Sequence, residues 1–133
     1  MEDWKTLYMK GVRYYRGAMN LAEHRKFSDP VILGTFNLAT EYLLSSVVAL
    51  KDIFILHGGV AHLVYALKEM GEVPEYIEKL SKTIITLSLK CSCGKNDLCI
   101  DYQQMQNLVS LLCSLLQWVD QEIELYQTRN NME

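Results

Sequence analysis

The sequence predicts an all-α protein, an up-down four-helix-type bundle with one or two additional short helices. Apolar residues recur every three or four positions over long stretches, and Gly and Pro fall between those stretches. No alternating apolar run is bounded by hairpin turns. Half of the 133 residues are apolar, which is enough for one core. We therefore expect a single domain over residues 1–128 and a flexible tail at 129–133.

The first two helices are predicted from their apolar faces and their caps. Residues 3–26 place large apolar side chains on one face and Lys10 opposite them. Ser28 is a good N-cap, and the proline that follows Asp29 suits a first helical turn, so a second helix should start there and run to residue 54. Its long apolar stretch predicts a central position, in contact with several neighbours.

Glycine and proline delimit the next two helices. The Gly58-Gly59 pair separates the second helix from a short third helix over residues 60–70. Gly71 ends this third helix, and a fourth is expected over residues 74–89 because proline favours a first helical turn.

The last helix is predicted after a polar loop at 91–99, where Asp101 can act as the N-cap. Its apolar residues recur on one side. They are Met105, Leu108, Leu112, Leu115, Val119, Ile123 and Tyr126.

Two short motifs resemble the HEPN family, the higher eukaryotes and prokaryotes nucleotide-binding domains. They are Glu41 within the apolar second helix and His62-Leu63 at the start of the third. The resemblance covers most of the chain loosely and implies a HEPN-like bundle. It also implies a binding or interaction function, since such domains often work beside a small nucleotidyltransferase in toxin–antitoxin-like pairs, and some bind nucleotides.

The resemblance implies no clear catalytic site. Competent HEPN proteins are metal-independent RNases with an Arg five to seven positions before a His, and none of the three histidines has an Arg there. The nearest pattern is Lys51-Asp52 followed by His57, where Lys lacks the planar fork of Arg. We therefore expect a non-catalytic variant, with a degenerate RNase using Lys51, Asp52 and His57 as one alternative.

A ligand site is predicted near the start of the third helix, where backbone N–H groups could receive an anion. Alternatively, His62 caps or packs that helix. A buried Glu41 needs a partner. The paired Glu41 either stabilises the core or marks a polar site between helices. The candidate ligand-binding residues are Glu41, His57, Gly58, Gly59, His62, Arg13 and Arg16, of which Arg13, Arg16 and His62 could pair with Glu41.

Three cysteines within nine residues, Cys91, Cys93 and Cys99, form an unusual cluster. Thiolates at this density could hold zinc or iron, with a fourth ligand from Asp97, a histidine or a second subunit. Their spacing matches neither a zinc ribbon nor a ferredoxin, and free thiols or an oxidation-prone pair are the other possibilities. A metal-binding or redox-sensing bundle is therefore the second alternative function.

Composition limits the partners and the location. The net charge of −3 argues against general nucleic-acid binding, although Lys10, Arg13 and Arg16 could form a local basic strip on the first helix. The first ten residues lack a signal segment, so we expect a cytoplasmic protein with reduced thiols. Residues 31–50 have the length of a membrane span, but Ser, Thr and Asn interrupt them, and we expect a buried helix and no membrane.

The first and last helices carry more large apolar residues than one neighbour normally covers. Such a surplus usually marks an interface, and a two-fold homodimer is the commonest closed solution. We expect Leu108 and Leu115 at that interface.

Overall fold

The computed structural model describes residues 3–53, 59–71, 73–93 and 99–131, apart from the side chains of residues 92 and 93. Over these ranges the chain forms five helices and no strand, which confirms the all-α class. The helices are α1 (Trp4–His24), α2 (Asp29–Leu50), α3 (Val60–Met70), α4 (Glu75–Cys93) and α5 (Tyr102–Asn131).

The bounds of α1 follow from its two caps. Asp3 is the N-cap, and its Oδ1 accepts a hydrogen bond from the Thr6 N–H at 2.8 Å. Arg25 ends the helix in the left-handed conformation, with φ at 48°, and its N–H donates to the Leu21 carbonyl at 2.8 Å. The helix ends two residues earlier than predicted because this left-handed residue stops the helical bonding pattern.

The helices α1 and α2 form an antiparallel hairpin that is closest at Gly11. A Cβ on Gly11 would lie 2.8 Å from Leu43 Cδ2 and 3.1 Å from the Leu43 backbone nitrogen, so a side chain there would collide with α2. Ala18 and Ala22 continue the same small, buried edge of α1. This close approach makes α1 and α2 the most extensively packed helix pair in the described chain.

Two aromatic contacts tie α1 to the distal half of α5. The Tyr8 hydroxyl donates to Asp120 Oδ1 at 2.6 Å, and the Trp4 and Tyr126 rings meet edge to face at 6.0 Å. Burial, and then the hydrogen bond to Asp120, raise the pKa of Tyr8 to about 12, so the phenol stays a neutral donor. These contacts place α5 on the inner side of the hairpin.

The core surrounds α2, which contacts all four other helices, as predicted for a central helix. Its side chains meet the apolar face of α5, where Met105, Leu108 and Leu115 are almost completely buried. The prediction that Leu108 and Leu115 lie at a dimer interface was wrong. The neighbours of α5 within the chain already cover that face.

Several helix ends also differ from the prediction. Asp52, with φ at 54°, follows the end of α2, whereas α4 continues to Cys93 and α5 to Asn131. The predicted Asp101 cap is present: its Oδ1 accepts from the Gln104 N–H at 2.7 Å, and Gln104 Oε1 accepts from the Asp101 N–H at 3.0 Å.

A partly buried ion pair fixes the α1–α2 turn to the segment that precedes α5. Asp29 is fully buried, and Arg25 Nη2 donates to its Oδ1 at 2.7 Å and its Oδ2 at 2.8 Å. The same nitrogen donates to the Ile100 carbonyl at 2.7 Å, and the Ile100 N–H donates to Asp29 Oδ2 at 2.8 Å. Both oxygens of the Asp29 carboxylate therefore accept hydrogen bonds, as a buried charge requires.

Candidate functional site

Gly59 and His62 lie together at the start of α3, which is where the ligand site was predicted. Gly59 is an extended N-cap, and a Cβ on it would lie 3.5 Å from Nδ1 of the exposed His62. The other two candidates of this segment, His57 and Gly58, lie outside the described residues. The imidazole of His62 thus lies beside the N-cap of α3.

Glu41 is half-buried on α2 and makes no hydrogen bond or ion pair within the described part of the chain. The predicted pairing with Arg13, Arg16 or His62 is therefore wrong for the single chain. Both arginines are exposed on α1, away from the side of that helix that contacts α2. Burial raises the pKa of Glu41, because no cation offsets the loss of water.

Lys51 and Asp52, which the degenerate-RNase hypothesis requires, lie between the end of α2 and the end of α5. They line a cavity of about 380 Å³ together with Tyr126 and Arg129. Lys51 Nζ lies 3.7 Å from Glu122 Oε2, and this carboxylate would compete with a phosphate for the ammonium group. The Glu122 carboxylate therefore disfavours phosphate binding at Lys51.

A disulfide joins two of the three clustered cysteines. Cys91, buried in the last turn of α4, is bonded to Cys99, and their Cα atoms are 5.4 Å apart. The side chain of Cys93 and all of Asp97 lie outside the described residues. In the described part of the chain, no group of three His, Cys, Asp or Glu side chains could hold a metal ion. A zinc or iron site at this cluster would require the reduced form.

A groove with a volume of about 830 Å³ runs between α4 and α5. Its walls carry charges of both signs, and one of them, Glu78, pairs with Lys68 at 3.0 Å and with Lys82 at 3.5 Å. The Lys68 contact lowers the pKa of Glu78. This pattern is typical of a solvated surface rather than of a ligand site.

The sequence analysis missed a surface on the outer side of the α1–α2 hairpin. Each helix contributes four residues with the same 4-3-4 spacing, which keeps them on one side of a helix. We call this surface the hairpin face. It consists of Lys10, Tyr14, Gly17 and Leu21 from α1 and Val31, Thr35, Leu38 and Tyr42 from α2.

Contacts across the hairpin join the two rows of residues into one surface. The Tyr14 and Tyr42 rings stack with centroids 5.5 Å apart and an interplanar angle of 2°. Lys10 Nζ lies 5.7 Å from the centre of the Tyr42 ring. A Cβ on Gly17 would lie 3.8 Å from Thr35 Cγ2, an ordinary contact distance. The two helices are therefore in contact at the middle of the face, and its Tyr14–Tyr42 end is aromatic.

The hairpin face has exposed apolar side chains at two positions of α2, and its other residues are partly buried. Val31 is 50 % exposed and Leu38 is 38 % exposed. Of the described helices, α2 has the length and hydropathy of a membrane span, a property that core helices share, and 56 % of its most apolar window is buried. A helix that is apolar all round is normally covered all round. The described chain covers α2 on its inner side and leaves this outer side open.

One charge lies at each edge of the hairpin face. Arg13 is exposed at the α1 edge, and Glu41 is half-buried at the α2 edge. Gly11 lies opposite Leu43 in the antiparallel hairpin. Arg13 follows Gly11 by two residues and Glu41 precedes Leu43 by two, so the two charges lie at the same height.

Comparison of the chain with protein-family models, with curated proteins and with solved structures gives no match. The resemblance to HEPN domains therefore stays a prediction that depends on Glu41 and His62-Leu63.

Proposed function

We propose that this chain is a non-catalytic interaction module that docks another polypeptide on its hairpin face. The observation that supports this most strongly is the exposure of Val31 and Leu38 on the most apolar helix of the fold. The two charges of α2 are both off the row of residues exposed there, because Asp29 is buried and Glu41 lies at the edge. Apolar surface with depleted charge is typical of the buried centre of protein interfaces.

The HEPN-like assignment is part of the same proposal and is supported by the Glu41 and His62-Leu63 motifs. A small nucleotidyltransferase partner in a toxin–antitoxin-like pair, a nucleotide ligand and a cytoplasmic location belong to it as well. Under this proposal the start of α3 is where a nucleotide would bind.

Redox sensing is a second candidate, favoured by the Cys91–Cys99 disulfide. Cys99 directly precedes Ile100, whose backbone bonds to the partly buried Arg25–Asp29 pair. Disulfides in a reducing cytoplasm are mostly transient. A disulfide at this position would therefore respond to the redox state and would not stabilise the fold permanently. Reduction would return thiolates that could then bind zinc or iron.

Photo-crosslinking at position 38 tests the docking proposal. We expect benzoylphenylalanine in place of Leu38, in the full chain inside producing cells, to give a discrete crosslinked species. Peptide sequencing should identify the captured molecule as one recurrent polypeptide, either this chain or another. The same replacement at Gln103, exposed in the first turn of α5, is the matched control. Crosslinks to lipid alone, or equal yields at both positions, would contradict the proposal.

A further inference from the structure

Any partner that docks on the hairpin face must supply an interaction for the Glu41 carboxylate. This carboxylate is already half-buried and has no partner within the described chain. Covering it further without a cation would leave a buried, unpaired charge, which is strongly destabilising. A stable occupant must therefore bring a positive group to the α2 edge of the face, at the height of Glu41.

The chain itself carries such a group at the required height. Arg13 is exposed at the opposite edge and makes no ion pair in the described ranges. Its guanidinium is the side chain best suited to a carboxylate, because it can form two parallel hydrogen bonds. The hairpin face thus has a positive edge and a negative edge at equal height.

A two-fold axis that runs along the hairpin, between α1 and α2, brings these edges together. This rotation places the α1 edge of one copy over the α2 edge of the other without any shift along the helices. The facing helices are then antiparallel neighbours, the usual arrangement in up-down four-helix bundles. The symmetry is closed, so association stops at two copies.

The size of the face is consistent with a stable dimer. Helices of about 20 residues are roughly 30 Å long, and two neighbouring helices are roughly 20 Å across. The face therefore offers on the order of 600 Å² per copy, or about 1,200 Å² in total, the lower limit for specific interfaces. Gly34, exposed on α2 with open space around its Cα, lets a second helix approach closely.

We infer that the occupant of the hairpin face is a second copy of this chain, arranged so that Arg13 of each copy faces Glu41 of the other. This inference depends on the docking function proposed above and specifies its partner. The pairing supplies Glu41 with a cation that the described part of its own chain does not provide.

Charge reversal with mixing tests the arrangement. Arg13→Glu alone, or Glu41→Arg alone, places like charges at both edge contacts, so each variant should dimerise at least about tenfold more weakly than wild type. An equimolar mixture of the two variants joins opposite charges at both contacts. We therefore expect the mixture to dimerise with an affinity near that of wild type, measured by sedimentation equilibrium at micromolar concentrations.

The control is Lys79→Glu, which makes the same charge change as Arg13→Glu at an exposed position of α4, outside the hairpin face. It should keep the wild-type dimer affinity. Circular dichroism confirms that every variant is folded, and Glu41→Lys replaces Glu41→Arg if the longer side chain unfolds the chain. Single variants that dimerise like wild type, or a mixture no tighter than its components, would overturn the inference.

The mass of wild type and the crosslinks at position 38 together distinguish this inference from the docking proposal. If wild type is monomeric but position 38 still crosslinks to one other identified polypeptide, the inference of a second copy is overturned. The docking proposal is then retained. A monomeric wild type without crosslinks at position 38 overturns both.

Discussion

Replacing Asp29 with Ala should lower the free energy of unfolding by roughly 3–5 kcal/mol, the largest effect that we expect from a single substitution. The carboxylate is fully buried and accepts hydrogen bonds from Arg25 and from the Ile100 N–H. Its removal leaves a partly buried guanidinium and a buried amide without an acceptor. Urea unfolding, followed by circular dichroism, measures the change.

Glu78→Ala is the matched control for this prediction. Glu78 also accepts from a cation, Lys68, but this pair lies on the solvent-exposed surface, where ion pairs contribute little. We expect no resolvable change for the control. A loss for Asp29→Ala no larger than that for Glu78→Ala would show that the Arg25–Asp29–Ile100 contacts do not hold the α1–α2 turn.

Breaking the Cys91–Cys99 disulfide should cost the oxidised protein about 2–3 kcal/mol. The bond closes a loop with a sequence separation of 8, and the entropy of closing a loop of this length corresponds to that range. Cys99→Ser should lose this stability in oxidising buffer and should match wild type in excess dithiol reductant. We also expect faster amide hydrogen exchange at Ile100 in the reduced protein, because Ile100 follows the disulfide directly.

Cys113→Ser is the control for the redox measurement, since this free, half-buried cysteine of α5 lies outside the disulfide. Its effect should be the same in oxidising and reducing buffer. Equal unfolding free energies for wild type with and without reductant would contradict the disulfide. Zinc or iron bound to the reduced wild type, and lost in Cys93→Ser, would favour the metal-binding alternative.

Features that depend on neighbouring residues could be predicted from the sequence. The apolar period of α5 identified Met105, Leu108 and Leu112 as one face, and all three are buried. The Asp101 cap was predicted and confirmed, because a capping side chain bonds within the first turn of its own helix. Such signals place the helices and fix which residues can share a face.

Contacts between distant residues could not be predicted in the same way. Asp29 was assigned to a helix start, but its acceptor role depends on Ile100, 71 positions later in the chain. The partner of Cys91 also stayed open, because three cysteines allow several pairings and a metal site. Only the packed fold determines which of these groups meet.

The hairpin face was missed for a related reason. An apolar period shows that a side of a helix avoids water, but it does not show whether the same chain covers that side. Leu108 and Leu115 were placed at an interface and are core, while Val31 and Leu38 were placed in the buried central helix and are exposed. The matching 4-3-4 spacing on α1 and α2 is the signal that could have identified the face.

The mass of the Leu38→Asp variant in solution tests most directly whether the hairpin face mediates association. Leu38 is already partly exposed in the single chain, so this substitution should leave the monomer folded and prevent association. Ile85→Asp, at a 47 % exposed position of α4 outside the face, is the control. By sedimentation equilibrium we expect wild type and Ile85→Asp to be dimers and Leu38→Asp to be a folded monomer. The same mass for wild type and Leu38→Asp would contradict the placement of a second copy on this face.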